Sequence, residues 1–310
     1  MIDELPLPIL DGVYHFGRDL WRAHVERQNA LGSRAANSPN AYNSVGLPLL
    51  KFINFAPEVR STFLDKLTLP RRTRCGRPIL ALEPHADDAF LSFGGLALSL
   101  DRPVHVVTLF SKSRNLFPEL HKYGALDNRM ITRLRTAESR AAAKLTSTTH
   151  SQLGLWEAKW PHQPPRTDLN EAIVEALRRE LEKLPGAELL APACVSRHPD
   201  HVLTRLAAEE LGCSWFWDDV DFYVNYARSV EDREYFLHKW SDSLGITYHS
   251  IDSHVLDKCA VLSIFQSQFF PASELCATLR YNWAVAREGI RAGALSTSTR
   301  YAERIFRQAL

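Results

Sequence analysis

The chain has 310 residues, enough for two average domains or for one large α/β domain with an extension. Hydrophobic residues make up 45% and charged residues 24%, which excludes a disordered chain, a collagen-like chain and a coiled coil. The 37 Lys and Arg residues nearly balance the 36 Asp and Glu residues. We therefore expect no binding of nucleic acid through bulk charge.

The chain shows no pattern typical of export or of membrane insertion. Its first residues are acidic where a signal peptide is basic, and no run of about 18 apolar residues occurs. The five cysteines include no Cys-x-x-Cys pair, so we expect neither a zinc ribbon nor a disulfide framework. These observations predict a soluble protein with reduced thiols, in the cytoplasm and without contact to a membrane.

Residues 1–76 differ in composition from the rest and are interpreted as an N-terminal extension to a domain at 77–310. The extension has helical patterns near 17–30 and 57–67, and it ends in the basic run 71–74, a solvated linker or an anion site. We expect the extension to act as a lid or as a subunit contact. If it is a subunit contact, the protein could form a homo-oligomer.

From residue 78, apolar runs alternate with amphipathic helical patterns. We predict a strand at 79–82, a helix at 89–100, a strand at 104–110, a helix at 127–145, a helix capped by Asp168, a strand at 188–192 and a helix at 200–211. This alternation predicts an α/β fold with a parallel sheet covered by helices on both faces. Beyond residue 212 the pattern is less regular, with one or two strands at 215–226 and helices near 230–244, 254–268 and 273–288.

Two segments place polar side chains at the carboxyl ends of predicted strands, where ligands bind in such folds. The first contains His85, Asp87 and Asp88, and the second contains His198 and His201. For either segment alone, capping of the following helix explains the polar residues as well as metal binding does. Two such segments at strand-to-helix turns are harder to explain by capping.

Catalytic zinc sites take three protein ligands, commonly imidazole nitrogens and a carboxylate oxygen. His85, Asp88 and His201 supply that set. Asp87 then remains beside the metal as a general base, and His198 remains as a donor to a developing oxyanion or to the leaving amine. The two segments therefore predict a metal-dependent hydrolase.

The same segments resemble the PIG-L/LmbE-like deacetylase family. Residues 84–88 (Pro-His-Ala-Asp-Asp), followed by Gly94 and Gly95, look like its His-Pro-Asp-Asp…Gly-Gly signature, and residues 198–201 (His-Pro-Asp-His) look like its second signature. Further similarities are Arg-Thr-Ala-Glu at 135–138, the family's short strand at 153–155, and a late Lys…Ser-Gln element from Lys258 to 267–268. The resemblance covers about residues 78–270.

The resemblance implies a Rossmann-like three-layer sandwich, a divalent metal, usually Zn²⁺, and hydrolysis of an N-acetyl group on an amino sugar. By position, the family's ligands fall on the same three residues named above. The base falls on Asp87, the transition-state histidine on His198, and the substrate-contacting arginine on Arg135. On the residues alone, Arg135 could equally be an exposed helix residue paired with Glu138.

Some positions depart from the family pattern. Ala86 and Ala89 replace a proline and an acidic residue, neither of which is needed as a ligand, and residues 195–197 lack the tyrosine found in the branch that acts on mycothiol precursors. We predict hydrolysis of an N-acylated amino sugar or glycoside, such as an antibiotic intermediate. The alternatives are an amidase acting on a thiol-cofactor conjugate and a non-catalytic carbohydrate-binding member of the family.

Overall fold

The computed structural model describes residues 74–114, 127–158, 166–194, 198–219, 244–262, 264–265, 267–268 and 271–308. The predicted lid or subunit contact, with its two helices and most of its basic run, lies outside these residues, and so does nearly all of the predicted helix at 230–244. The domain boundary at residue 76 therefore stays a prediction. In the described parts of the chain, no helix is long and apolar enough to cross a membrane.

The core of the described structure is a sheet of seven strands. They are β1 (Ile79–Glu83), β2 (Val104–Thr108), β3 (Thr149–Gln152), β4 (Glu188–Pro192), β5 (Trp215–Trp217), β6 (Leu244–Ser250) and β7 (Ala302–Gln308). Their order is β3-β2-β1-β4-β5-β7-β6. The first five strands in this order are parallel, and β7 runs antiparallel to both β5 and β6.

Helices cover both faces of this sheet. They are α1 (Asp88–Ser99), α2 (Asn128–Thr146), α3 (Asn170–Glu182), α4 (Pro199–Glu210), α5 (Val255–Leu262) and α6 (Pro271–Arg291). Alternate residues of β1 belong to two separate apolar clusters: Ile79 and Ala81 pack with α1 and α5, whereas Leu80 and Leu82 pack with α3 and α4. The expected three-layer α/β sandwich with a mostly parallel sheet is therefore confirmed.

Several element boundaries differ from the predicted ones. Strand β2 ends at Thr108, two residues earlier than predicted. The edge strand is 149–152 instead of the predicted 153–155. The predicted segment only continues the pairing, because the Leu153 N–H donates to the Thr108 carbonyl. Asp168 does not cap a helix: it lies in a 3₁₀ turn, and α3 begins at Asn170.

The order of the strands determines where a ligand can approach. Strands β1 and β4 are parallel neighbours at the centre of the sheet, and the chain leaves them in opposite directions, to β2 on one side and to β5 on the other. In open α/β sheets, such a reversal of strand order opens a crevice at the carboxyl ends of the strands. Both polar segments singled out in the sequence follow these two strands.

Candidate metal centre and active site

The turn between β1 and α1 holds His85, Asp87 and Asp88. Asp87 occupies the N-cap position of α1, yet its side chain makes no capping hydrogen bond. Asp88 is buried, and its Oδ2 accepts the backbone N–H of His85 at 2.8 Å. Capping therefore does not explain the Asp87 carboxylate.

The turn before α4 is built differently. Here His198 caps the helix, because its Nδ1 accepts the backbone N–H of Asp200 at 3.2 Å. The Asp200 carboxylate is fully buried and its Oδ2 lies 3.0 Å from His85 Nε2 and accepts the Ala158 N–H at 2.8 Å. Asp200 thus connects the two turns and does not cap α4, in whose first turn it lies.

The structure brings the three predicted metal ligands together. Asp88 Oδ2 lies 3.3 Å from His85 Nδ1 and 3.3 Å from His201 Nε2. A tetrahedral zinc ion with bonds of about 2.0–2.1 Å separates its donor atoms by about 3.3 Å. All three donor atoms lie within 4.8 Å of one another, so these two imidazole nitrogens and one carboxylate oxygen could hold a metal ion, and the donor set fits zinc.

A second carboxylate lies behind each imidazole of this group. His85 turns Nε2 towards Asp200, as described above, and His201 Nδ1 lies 3.5 Å from Asp219 Oδ1. Such partners fix the tautomer and the orientation of a metal-binding imidazole. The sequence patterns gave no role to Asp200 or Asp219, although Asp219 follows the carboxyl end of β5, where the sheet topology collects site residues.

The carboxylates control the protonation of the imidazoles. Burial lowers the pKa of His201, but the charges of Asp88 and Asp219 outweigh it and raise that pKa to about 10. Burial also lowers the pKa of His85, whereas its hydrogen bonds to Asp200 and Asp88 raise it well above the usual value. The buried carboxylates therefore attract positive charge to this position, as a divalent cation site requires.

His198 has the opposite environment. Burial, together with the positive charges of His85 and His201, lowers the pKa of His198 to about 2. The ring is therefore neutral, and because its Nδ1 accepts the Asp200 N–H, its proton is on Nε2. The ring centroid of His198 lies 4.8 Å from that of His85, so the Nε2–H donor belongs to the same group of side chains.

Arg135 lies on α2 and is only 3% exposed, so the alternative of an exposed position on the helix is wrong. Its Nη2 donates to Asp87 Oδ1 at 3.2 Å, and its Nη1 donates to Glu157. Glu138 instead accepts the backbone N–H of Ser267 at 2.9 Å, which ties α2 to the late sequence element. The contact of Arg135 with a substrate stays a prediction.

The remaining conspicuous residues have structural partners. Lys258 is buried and donates to Glu303 at 2.6 Å, while His105 lies 2.7 Å from Thr149 Oγ1 and 2.9 Å from Ser151 Oγ. Neither residue belongs to the candidate metal-ligand group.

Residues 80–211 match the model of the family described as PIG-L: GlcNAc-PI de-N-acetylase. The chain is similar to this family over that segment. Over 151 residues it is 31% identical to the 2'-N-acetylparomamine deacetylase of Streptomyces fradiae. That alignment covers 44% of this chain and 53% of the relative, so the chain spans about half the length of the curated relative that it matches.

Solved structures of low sequence identity share the fold. The A40926 pseudoaglycone deacetylase is 23% identical, with a TM-score of 0.53 over 77% of this chain and 100% of that one. The 4-carboxy-2-hydroxymuconate hydratase from Pseudomonas putida KT2440 is 14% identical, with a TM-score of 0.52 over 76% of this chain and 97% of that one. Since a protein named as a hydratase shares the architecture, the fold alone does not determine the reaction.

Proposed function

We propose that this chain is a zinc-dependent N-deacetylase that hydrolyses the acetamide of an amino sugar or glycoside, such as an antibiotic intermediate. The observation that supports this most is that the donor atoms of His85, Asp88 and His201 lie within 4.8 Å of one another, while the carboxylate of the adjacent residue Asp87 stays outside this group. The family match and the deacetylase from S. fradiae support the choice of an amide as substrate.

The three ligands would hold the metal, and Asp200 and Asp219 would orient the two imidazoles. Zinc held there would supply a Lewis acid that polarises the substrate carbonyl and acidifies the attacking water. In this proposal, the Asp87 carboxylate accepts the proton of the attacking water and returns it to the departing amine. His198, neutral and protonated on Nε2, donates to the oxyanion that develops on the carbonyl oxygen. The products are acetate and a free amine.

Acetate release from a panel of substrates tests the function. The panel contains N-acetylglucosaminides, an N-acetylated aminoglycoside and an N-acylated thiol-cofactor conjugate. We expect acetate from the amino sugars. Release only from the thiol conjugate would favour the amidase alternative, and a zinc-loaded protein that is inert on every member would favour a carbohydrate-binding role.

Two variants test the assignment of residues. Asp87→Asn should retain zinc and lose most turnover, and Asp101→Asn is its matched control, because Asp101 is exposed and lies at the opposite end of the sheet. His201→Ala should lose zinc in elemental analysis. Full activity of Asp87→Asn would refute the base, and unchanged zinc content of His201→Ala would remove that histidine from the ligand set.

A further inference from the structure

A closed network of charged and polar side chains lies directly behind Asp87. Arg135 and Glu157 are 3% and 4% exposed, and Ser113 is fully buried between them. Arg135 Nη1 donates to Glu157 and to Ser113 Oγ at 2.9 Å, and Ser113 Oγ donates to Glu157 Oε2 at 2.7 Å. The remaining amino group, Nη2, donates to Asp87 Oδ1.

The network joins four separate segments of the chain. Arg135 comes from α2, Ser113 from the loop after β2, Glu157 from the loop after β3, and Asp87 from the start of α1. Burying an arginine and a glutamate costs desolvation energy that their attraction only partly offsets, so such a pair is weak support for stability alone. The position of the pair against Asp87 suggests a role in orienting that carboxylate.

The charge of Glu157 determines how Arg135 can act. An arginine without another partner tends to bind a carboxylate through both amino groups. Here Glu157 and Ser113 engage Nη1, so the contact with Asp87 uses Nη2 and the single oxygen Oδ1. The charges of Arg135 and Glu157 balance each other. Arg135 therefore orients Asp87 through one hydrogen bond instead of a bidentate ion pair.

The segment of Glu157 is also fixed to the metal centre. The next residue, Ala158, donates its N–H to Asp200 Oδ2 at 2.8 Å, and Asp200 contacts His85 Nε2. Two consecutive residues therefore reach the proposed base through Arg135 and a proposed ligand through Asp200. A shift of this short segment would change the distance between base and metal.

We propose that Glu157 and Arg135 are a positioning pair: Glu157 and Ser113 fix the guanidinium, and the guanidinium fixes the Asp87 carboxylate relative to the metal ligands. The inference rests on the proposed hydrolase function. It assigns a role to Glu157, and it gives Arg135 a role different from the substrate contact expected from the family resemblance.

The test compares Glu157→Gln and Arg135→Lys with the wild type in zinc content, kcat and KM. Positioning predicts unchanged zinc, a fall in kcat of about 10- to 100-fold and a KM within about twofold, because misplacement of a reacting group by about 1 Å costs up to about 100-fold in rate. A direct substrate contact by Arg135 predicts a raised KM instead. Unchanged kcat in both variants of an active enzyme overturns the inference.

The matched control is Glu303→Gln, which disrupts another buried pair, Lys258–Glu303, away from Asp87. It should lower the Tm and leave kcat unchanged at a temperature where the protein is folded. If Glu157→Gln does not fold, Ser113→Ala removes two hydrogen bonds of the same network with a smaller perturbation and should lower kcat in the same way.

A crystal structure of the zinc-loaded variants gives a readout that needs no substrate. Positioning predicts that the Asp87 carboxylate rotates away from its wild-type orientation in Glu157→Gln or Arg135→Lys, while the metal ligands stay in place. An unchanged Asp87 in both variants overturns the inference even if the substrate is unknown. Failure of the wild type to release acetate from the panel, by contrast, counts against the proposed function.

Discussion

Two adjacent glycines in α1 should respond oppositely to the same substitution. A Cβ on Gly95 would lie 2.8 Å from Ile251 Cγ2 and 2.9 Å from Ile251 Cβ, whereas a Cβ on Gly94 would have its nearest neighbours at 3.7 Å. Ile251 is completely buried, and one of the clashing atoms is its Cβ, so a change of rotamer cannot relieve the clash. Gly95→Ala therefore has to displace backbone, either that of Ile251 or that of α1, the helix that begins at Asp88.

The comparison isolates the packing energy. Both variants gain the helix propensity of alanine over glycine, about 1 kcal/mol, and this gain cancels in their difference. The clash should make Gly95→Ala less stable than Gly94→Ala by about 1–3 kcal/mol. Each kcal/mol lowers the Tm of a domain of this size by about 2–4 °C.

Calorimetry or circular dichroism at one protein concentration measures the two Tm values. Ile251→Ala supplies a further control, since it removes the Cγ2 and Cδ1 atoms that a Cβ on Gly95 would meet within 3.0 Å. The double variant Gly95→Ala/Ile251→Ala should be more stable than the sum of the two single changes predicts. Equal Tm values for Gly94→Ala and Gly95→Ala would refute the packing argument.

Three further outcomes are expected. Zinc binding at pH 7 should release protons, because without metal the pKa of His85 is raised and that of His201 is raised to about 10. The apparent affinity for zinc should therefore increase with pH. A calorimetric binding enthalpy that does not depend on the buffer would contradict this. Asp219→Asn should weaken zinc binding by about 10- to 100-fold in a chelator competition, and unchanged affinity would show that Asp219 does not support His201. Cys213, whose pKa burial raises to about 12, should react with iodoacetamide far more slowly than the exposed Cys75, as peptide mass spectrometry can measure.

The central part of the sheet could be predicted from the sequence because its signals are local. Strands β1 and β4 are short apolar runs, and each is followed by a turn with a histidine and carboxylates. Both turns lie at carboxyl ends of parallel strands, so their meeting follows from topology alone. The grouping of His85, Asp88 and His201 required no knowledge of the loops between them.

Strands β6 and β7 were missed because their stability depends on distant partners. Strand β7 contains Glu303 and Arg304, which read as solvent-exposed residues but are completely or almost completely buried. Glu303 pairs with Lys258, and Arg304 Nε donates to Asp218 Oδ2 at 2.6 Å. These partners are distant from β7 in the sequence, so the local pattern of charged residues does not predict a buried strand.

The same reason concealed the network around Asp87. Arg135 and Glu157 are charged residues on a helix and a loop, and only the tertiary structure shows that they neutralise each other beside Asp87. Glu303 is another buried charge with distant partners. Its carboxylate accepts the N–H groups of Gly95 and Leu96, next to the non-helical backbone of Phe93. The structural partners of such buried charges can be recognised only once the fold is known.

The balance of charge favours the proposed hydrolytic site over a carbohydrate-binding pocket on this architecture. Asp88, Asp200 and Asp219 surround two imidazoles, and a divalent cation satisfies these carboxylates without requiring protons on the imidazoles. The Arg135–Glu157 pair is neutral as a whole, so it orients Asp87 without cancelling that carboxylate's charge. Sugar binding alone gives no reason for a separately oriented carboxylate beside a cation site, whereas the proposed metal-dependent hydrolysis uses both.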